Sequence, residues 1–152
     1  MALNTDFTTQ VLTSTQMNNF PRGLVSVTIG TASSASVAVE TVILTSPSFT
    51  AVANRYYRIT YLQPVFSYQS GTVNNVGMAI RLTNIAGASQ VNTEVKMASA
   101  GTATGVCSIV KTLAAGPTVF VATFTPSGGG NVIASGATVY GAQLIIEDMG
   151  ST

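Results

Sequence analysis

From about residue 23 onward, apolar and polar side chains alternate with a period of two, in short runs separated by Gly, Pro, Ser and Asn. Successive side chains of a strand point to opposite faces, so the pattern predicts an all-β domain of many short strands. In the first run Val25, Val27 and Ile29 share one face, and Ser26 and Thr28 take the other. Val37, Val39 and Ile43 follow, with Glu40 opposite. The strongest run is Arg55 to Ser67, where Tyr57, Ile59 and Tyr61 alternate with Tyr56, Arg58 and Leu62. Pro64 has no backbone donor and marks a bulge, an edge or a change of sheet. Ser70-Gly71 and Asn74-Asn75 supply a turn. Val76, Met78, Ile80 and Leu82 then alternate with Gly77, Ala79, Arg81 and Thr83. Val91, Thr93, Val95 and Met97 alternate with Asn92, Glu94 and Lys96. Two further strands are predicted near Val106–Thr112 and Thr118–Thr125, with Ser127–Asn131 as a flexible glycine-rich loop. The last strand, Val139 to Glu147, is apolar on both faces around Gln143. It is therefore expected to be central or covered on both sides, for instance by a partner subunit.

These runs make about eight strands, rich in Val and Thr, with no long helix. The expected closure is an antiparallel two-sheet sandwich, or jelly roll, over residues 23–152. Residues 1–22 read differently, as a polar N-terminal arm. Thr13-Ser14-Thr15-Gln16 matches a capping box, and Leu12 and Met17 stand at hydrophobic-staple positions. Pro21 disfavours helical geometry at Phe20. About two helical turns, Ser14 to Asn19, are expected. A helix that short is not stable alone, since about 12 residues are needed in water. It must dock on its own domain or on another chain.

Composition changes this picture mainly by subtraction. The 152 residues include six Lys/Arg and five Asp/Glu, a charged share of 7% against about 25% in an average soluble domain. There is no His, no Trp and a single Cys, Cys107. A hydrophobic share of 46% argues against disorder. The net charge of +1 gives no reason to expect nucleic acid or an anionic membrane surface as partner. Neither a signal-peptide pattern nor a run of about 18 apolar residues is present. One Cys forms no internal disulfide.

The candidate chemistry is correspondingly thin. Without His, the usual Ser-His and Cys-His nucleophile pairs are excluded. Cys107, beside Ile109 in an alternating run, reads as a buried small hydrophobe. Glu147-Asp148 is the only adjacent acidic pair. Strand neighbours point to opposite faces, so the two carboxylates do not converge. Glu40, Glu94 and this pair are expected as strand ends that are either solvated or ion-paired, with Arg58 or Arg81 as the partner. Zinc and copper sites lack ligands, and no calcium loop is present. Gly128–Gly130 lacks the Lys-Ser/Thr and the helix of a phosphate-binding loop. Tyr56, Tyr57, Tyr61, Phe66 and Tyr68 offer either a sugar-stacking platform or, more simply, core and interface. No catalytic, cofactor-binding or metal-binding residue is assigned, and an enzyme is not expected.

Three segments carry a resemblance. Val11-Leu12-Thr13-Ser14-Thr15-Gln16-Met17-Asn18-Asn19-Phe20-Pro21-Arg22-Gly23 resembles the opening of many small tailed-bacteriophage virion proteins, whose leaders read like "VLTAAQMNxLPRG". Asn54-Arg55-Tyr56-Tyr57-Arg58-Ile59-Thr60 looks like their "GRRYRVT" strand. Leu144-Ile145-Ile146-Glu147-Asp148-Met149-Gly150 looks like their C-terminal "LxVEDxGP", although Ser151 stands where that pattern often has Pro. The three occur in order and span the chain.

Proteins of this kind are minor tail, head-fibre or capsid-decoration proteins. The resemblance implies a jelly-roll module of the tumour-necrosis-factor type, usually trimeric, with its last strand near the threefold axis. It supplies no catalytic residue. The expected partners are further copies of the chain and other virion proteins, with neither nucleic acid nor membrane and no cofactor. The expected location is the virion, after folding in the bacterial host cytoplasm. Leu12, Met17 and Phe20 are the expected apolar anchors of the arm, Arg22 a polar contact at the arm–domain junction, and Tyr140, Leu144 and Ile146 contacts of the last strand. Capsid decoration is favoured over a minor tail or tail-tip role. The alternative of another class is a receptor- or glycan-binding head.

Overall fold

The computed structural model describes residues 14–97, 100–136 and 141–152. Among them are one helix, α1 (Ser14–Asn19), and eleven strands. The strands are β1 (Gly23–Ile29), β2 (Thr41–Thr45), β3 (Phe49–Ala51), β4 (Arg55–Ser70), β5 (Asn75–Leu82) and β6 (Ser89–Lys96). After them come β7 (Thr102–Thr112), β8 (Gly116–Thr118), β9 (Phe120–Pro126), β10 (Asn131–Ala134) and β11 (Gln143–Ser151).

Every strand pairing is antiparallel. β1, β11, β4 and β7 lie side by side in one sheet, and β10 joins β4 beyond the end of β11. β2, β9, β5 and β6 form the second sheet, and β3 pairs with β8 apart from both. Take the eight principal strands in chain order. The first, eighth, third and sixth make one sheet; the second, seventh, fourth and fifth make the other. That is a jelly-roll order, in which all but one of the connections cross between sheets. The expected sandwich is present. β3, β8 and β10 are additional strands of three or four residues, too short to show an alternation.

The core lies between the two inner faces. Tyr57, Ile59 and Tyr61 of β4, Leu144 and Ile146 of β11 and Cys107 of β7 meet Val76, Met78 and Ile80 of β5 and Phe120, Ala122 and Phe124 of β9. Phe66 and Phe124 bring their rings together across the sandwich at 5.2 Å. β4 follows the expected alternation. At Pro64 its register against β7 breaks between Gln63 and Phe66. The fully buried Gln63 satisfies backbone there: its Nε2 donates to the carbonyls of Val65 and Ser135, each at 2.8 Å, and its Oε1 accepts from the Tyr61 hydroxyl at 3.3 Å.

Three expectations change. The second run becomes a strand only at Thr41: Val37 is buried in an isolated bridge to Val132, whereas Val39 is 69% exposed. The last strand begins at Gln143, not Val139, and residues 139 and 140 lie outside the described residues. It is central, between β1 and β4. The glycine-rich loop is packed rather than open. A Cβ at Gly130 would stand 2.7 Å from the carbonyl oxygens of Ser70 and Thr72, so the turn sits against the β4–β5 connection.

Candidate functional site: a clamped arm and an exposed sheet face

Three ion pairs, Arg81–Glu40, Arg58–Glu147 and Arg55–Asp148, take up six of the charged side chains. Arg81 donates from Nε and Nη2 to the two oxygens of Glu40, at 2.6 and 2.8 Å, and Thr123 Oγ1 donates to Glu40 at 2.7 Å. The Arg81 bonds lower the Glu40 carboxyl below its ordinary value against the opposing effect of burial, helped by Thr123. Glu147 and Asp148 point to opposite faces. Glu147 faces out and binds Arg58, which lowers its carboxyl; Asp148 faces in and binds Arg55. Cys107 is buried, with its thiol pushed up by burial. Tyr57 and Tyr61 are in the core, so the tyrosines of β4 form no sugar-stacking platform; Tyr56, at 44% exposure, is the one that reaches well into solvent. Among the described residues no group of three metal-ligating side chains converges, and no helix is long and apolar enough to cross a membrane.

The arm joins the body through Arg55. Its Nε donates to Asp148 Oδ2 at 2.7 Å and its Nη2 to Oδ1 at 2.8 Å. Nη2 also donates to the carbonyl of Phe20 at 2.6 Å, and Nη1 donates to the carbonyl of Asn18. A guanidinium thus takes up carbonyls at the C-terminal end of α1, which have no partner within the helix. Both side chains of the ion pair are almost fully buried. Burial raises the Asp148 carboxyl. Hydrogen bonds from Arg55 and the Gly150 N–H, with the charges of Arg55 and Arg22, outweigh it and leave the group below its ordinary value. Arg22 is exposed and lines an open polar cleft of about 460 Å³ with Asn18, Asn19 and Asn54.

Clamped in this way, the arm does not bury its apolar side chains: Met17 is 62% and Phe20 53% exposed. Leu12 and Tyr140 lie outside the described residues. Leu144 and Ile146, expected as contacts of the last strand, are fully buried in the sandwich core. Alternation puts Ile145 and Glu147 on the outward face instead.

That outward face is the unusual surface. Cross-strand register sets three rows over β1, β11, β4 and β7. One is Ile29, Gln143, Leu62 and Val106; the next is Val27, Ile145, Thr60 and Ser108; the third is Leu24, Glu147, Arg58 and Val110. Leu24, Val27, Ile29, Val106 and Val110 are all exposed. β1 contributes because of an irregularity. Its register shifts between Leu24 and Ser26, so Val25 packs on the core while Val27 and Ile29 turn outward. The expected single face of Val25, Val27 and Ile29 is therefore split at this bulge, whose extra residue changes which side chains point inward. The Ser26 hydroxyl is buried there without a hydrogen-bond partner among the described residues. Four strands about 4.8 Å apart and five residues of rise give a footprint on the order of 300 Å². The largest apolar patch on a typical monomer is of that order and is often functional.

No protein-family model matches the chain, and a search of curated proteins finds no match.

Proposed function

We propose that this chain is a non-enzymatic structural protein of a tailed bacteriophage particle, a homotrimer that decorates the capsid and attaches through its N-terminal arm. The observation that carries the reading is the outward face of the β1-β11-β4-β7 sheet. It presents aliphatic side chains, Ser, Thr and Gln143, and a single ion pair, where a face destined for water would carry scattered charges. Burying such a face between copies removes apolar surface from water and desolvates few charges. The leader and strand motifs that resemble virion proteins give the setting. Met17 and Phe20, held outward by the Arg55 clamp, give the arm preordered apolar contacts, which lowers the entropy cost of attachment. A decoration protein of this kind stabilises the shell by binding only its assembled form.

The test is reattachment to particles that lack the protein. Met17→Asp with Phe20→Asp changes two exposed side chains and keeps the backbone carbonyls that Arg55 binds, so the variant is expected to fold as wild type does and to fail to join particles. Attachment at full occupancy by this variant would refute the role given to the arm. Counting copies per particle separates the two locations: many copies for decoration, a few for a minor tail or tail-tip protein.

A further inference from the structure

The exposed sheet face carries one charged feature, and its bonding is incomplete. Arg58 and Glu147 are direct cross-strand partners on β4 and β11. Both Nε and Nη2 of Arg58 reach the same carboxylate oxygen, Glu147 Oε2, each at 2.7 Å. Glu147 Oε1 and Arg58 Nη1 have no partner among the described residues. In the isolated chain water satisfies them. Once the face is covered they become buried polar groups that need partners. The covering surface must then present a donor to Oε1 and an acceptor to Nη1, side by side and within an otherwise aliphatic and hydroxyl-rich surface.

A second copy of this chain offers that combination. Its own face has the same open donor and the same open acceptor, with no net charge to repel its like. We infer that Arg58 and Glu147 set the register of self-association: Nη1 of one copy donates to Glu147 Oε1 of the next, and the pairs close into a ring of alternating charges. This rests on the reading of the sheet face as the self-association surface. In a ring each copy gives one donor and takes one acceptor, so every open valence is used and the charges cancel. The aliphatic rows supply the burial, and the ion pair selects one arrangement among the many that flat apolar faces permit.

The experiment is native mass spectrometry of the full chain, with light scattering at 0.15 M salt, on wild type and four variants. Circular dichroism and thermal unfolding serve as fold controls. Wild type is expected to give one oligomeric state. Arg58→Glu places carboxylates on every side of the ring and is expected to weaken association at least about a hundredfold. The exchange Arg58→Glu with Glu147→Arg rebuilds each contact with its polarity reversed and is expected to restore the wild-type state. Arg58→Met with Glu147→Met is expected to associate into several stoichiometries. Val110→Asp, on the aliphatic part of the face, is expected to give a monomer whatever the ion pair does. If Val110→Asp is monomeric while Arg58→Glu assembles as wild type does, the ion-pair inference is overturned and the face reading survives. If Val110→Asp assembles as wild type, or if wild type is itself a monomer, both are overturned.

Discussion

Replacing Asp148 by Asn removes one charge from the clamp and little else. Asn keeps an oxygen for the Gly150 N–H and nearly the same volume, while Arg55 stays buried against the carbonyls of Asn18 and Phe20. Breaking a buried ion pair on one side leaves an uncompensated charge and costs about 3–5 kcal/mol. In a chain of this length 1 kcal/mol moves the midpoint by about 2–4 °C, so Asp148→Asn should unfold about 6–20 °C below wild type. The effect also has a pH signature. The folded Asp148 carboxyl lies below its ordinary value, so the unfolded chain binds that proton first as the pH falls. The pair's contribution is fully present above the unfolded carboxyl's range, near pH 4, and is lost as the pH drops through the folded value. Urea unfolding from pH 7 down to pH 2 should therefore show the gap between wild type and Asp148→Asn closing below about pH 4. A gap at pH 7 below about 1 kcal/mol, typical of an exposed pair, would refute the account of a buried clamp. So would a gap that does not change with pH.

Three further outcomes follow from the same geometry. Arg55→Met releases the carbonyls at the end of α1, and trypsin should cut after the exposed Arg22 faster than in wild type; unchanged cleavage would mean that the arm is held by something else. Gln63→Leu leaves the Ser135 carbonyl and the Tyr61 hydroxyl unpaired inside the bulge, while the Val65 carbonyl keeps the Ser135 N–H, a loss of about 1–3 kcal/mol in chemical denaturation; an unaltered midpoint would contradict the role assigned to that side chain. Cys107, buried and with its thiol pushed up by burial, should react with a thiol reagent no faster than the chain opens, so rapid labelling of the native protein would show that the strand is not covered as described.

Period-two alternation made most of the fold legible. β4, β5, β6 and β7 stand where their side chains predict, Pro64 marks a break in register, and the doubly apolar last strand is central. Alternation separates two faces, but it does not say which of them is buried. In β1 the bulge at Val25 decides that, and it turns Val27 and Ile29 outward. In β11 the apolar side chains alternate correctly, yet Leu144 and Ile146 belong to the core and Ile145 to the outer face. The scarcity of charge gave no indication of which sheet face would be left apolar and exposed.

Alternation alone did not make the clamp legible. Arg55 and Asp148 stand 93 residues apart in the chain, and they meet only because β4 and β11 pair antiparallel with the start of one beside the end of the other. The available signal was the place of each residue within its strand. An Arg opening the strongest strand and an Asp late in the last strand stand at matching ends once those two strands are neighbours. Charge-poor chains are where such a signal is easiest to use, because few alternative partners exist.

The central claim, that the outer face of the β1-β11-β4-β7 sheet is covered by copies of this chain, is tested most directly by the mass of the full-length protein in solution. Light scattering over a wide range of concentration is predicted to give three times the 15.6 kDa of one chain. A mass of 15.6 kDa at every concentration would contradict it.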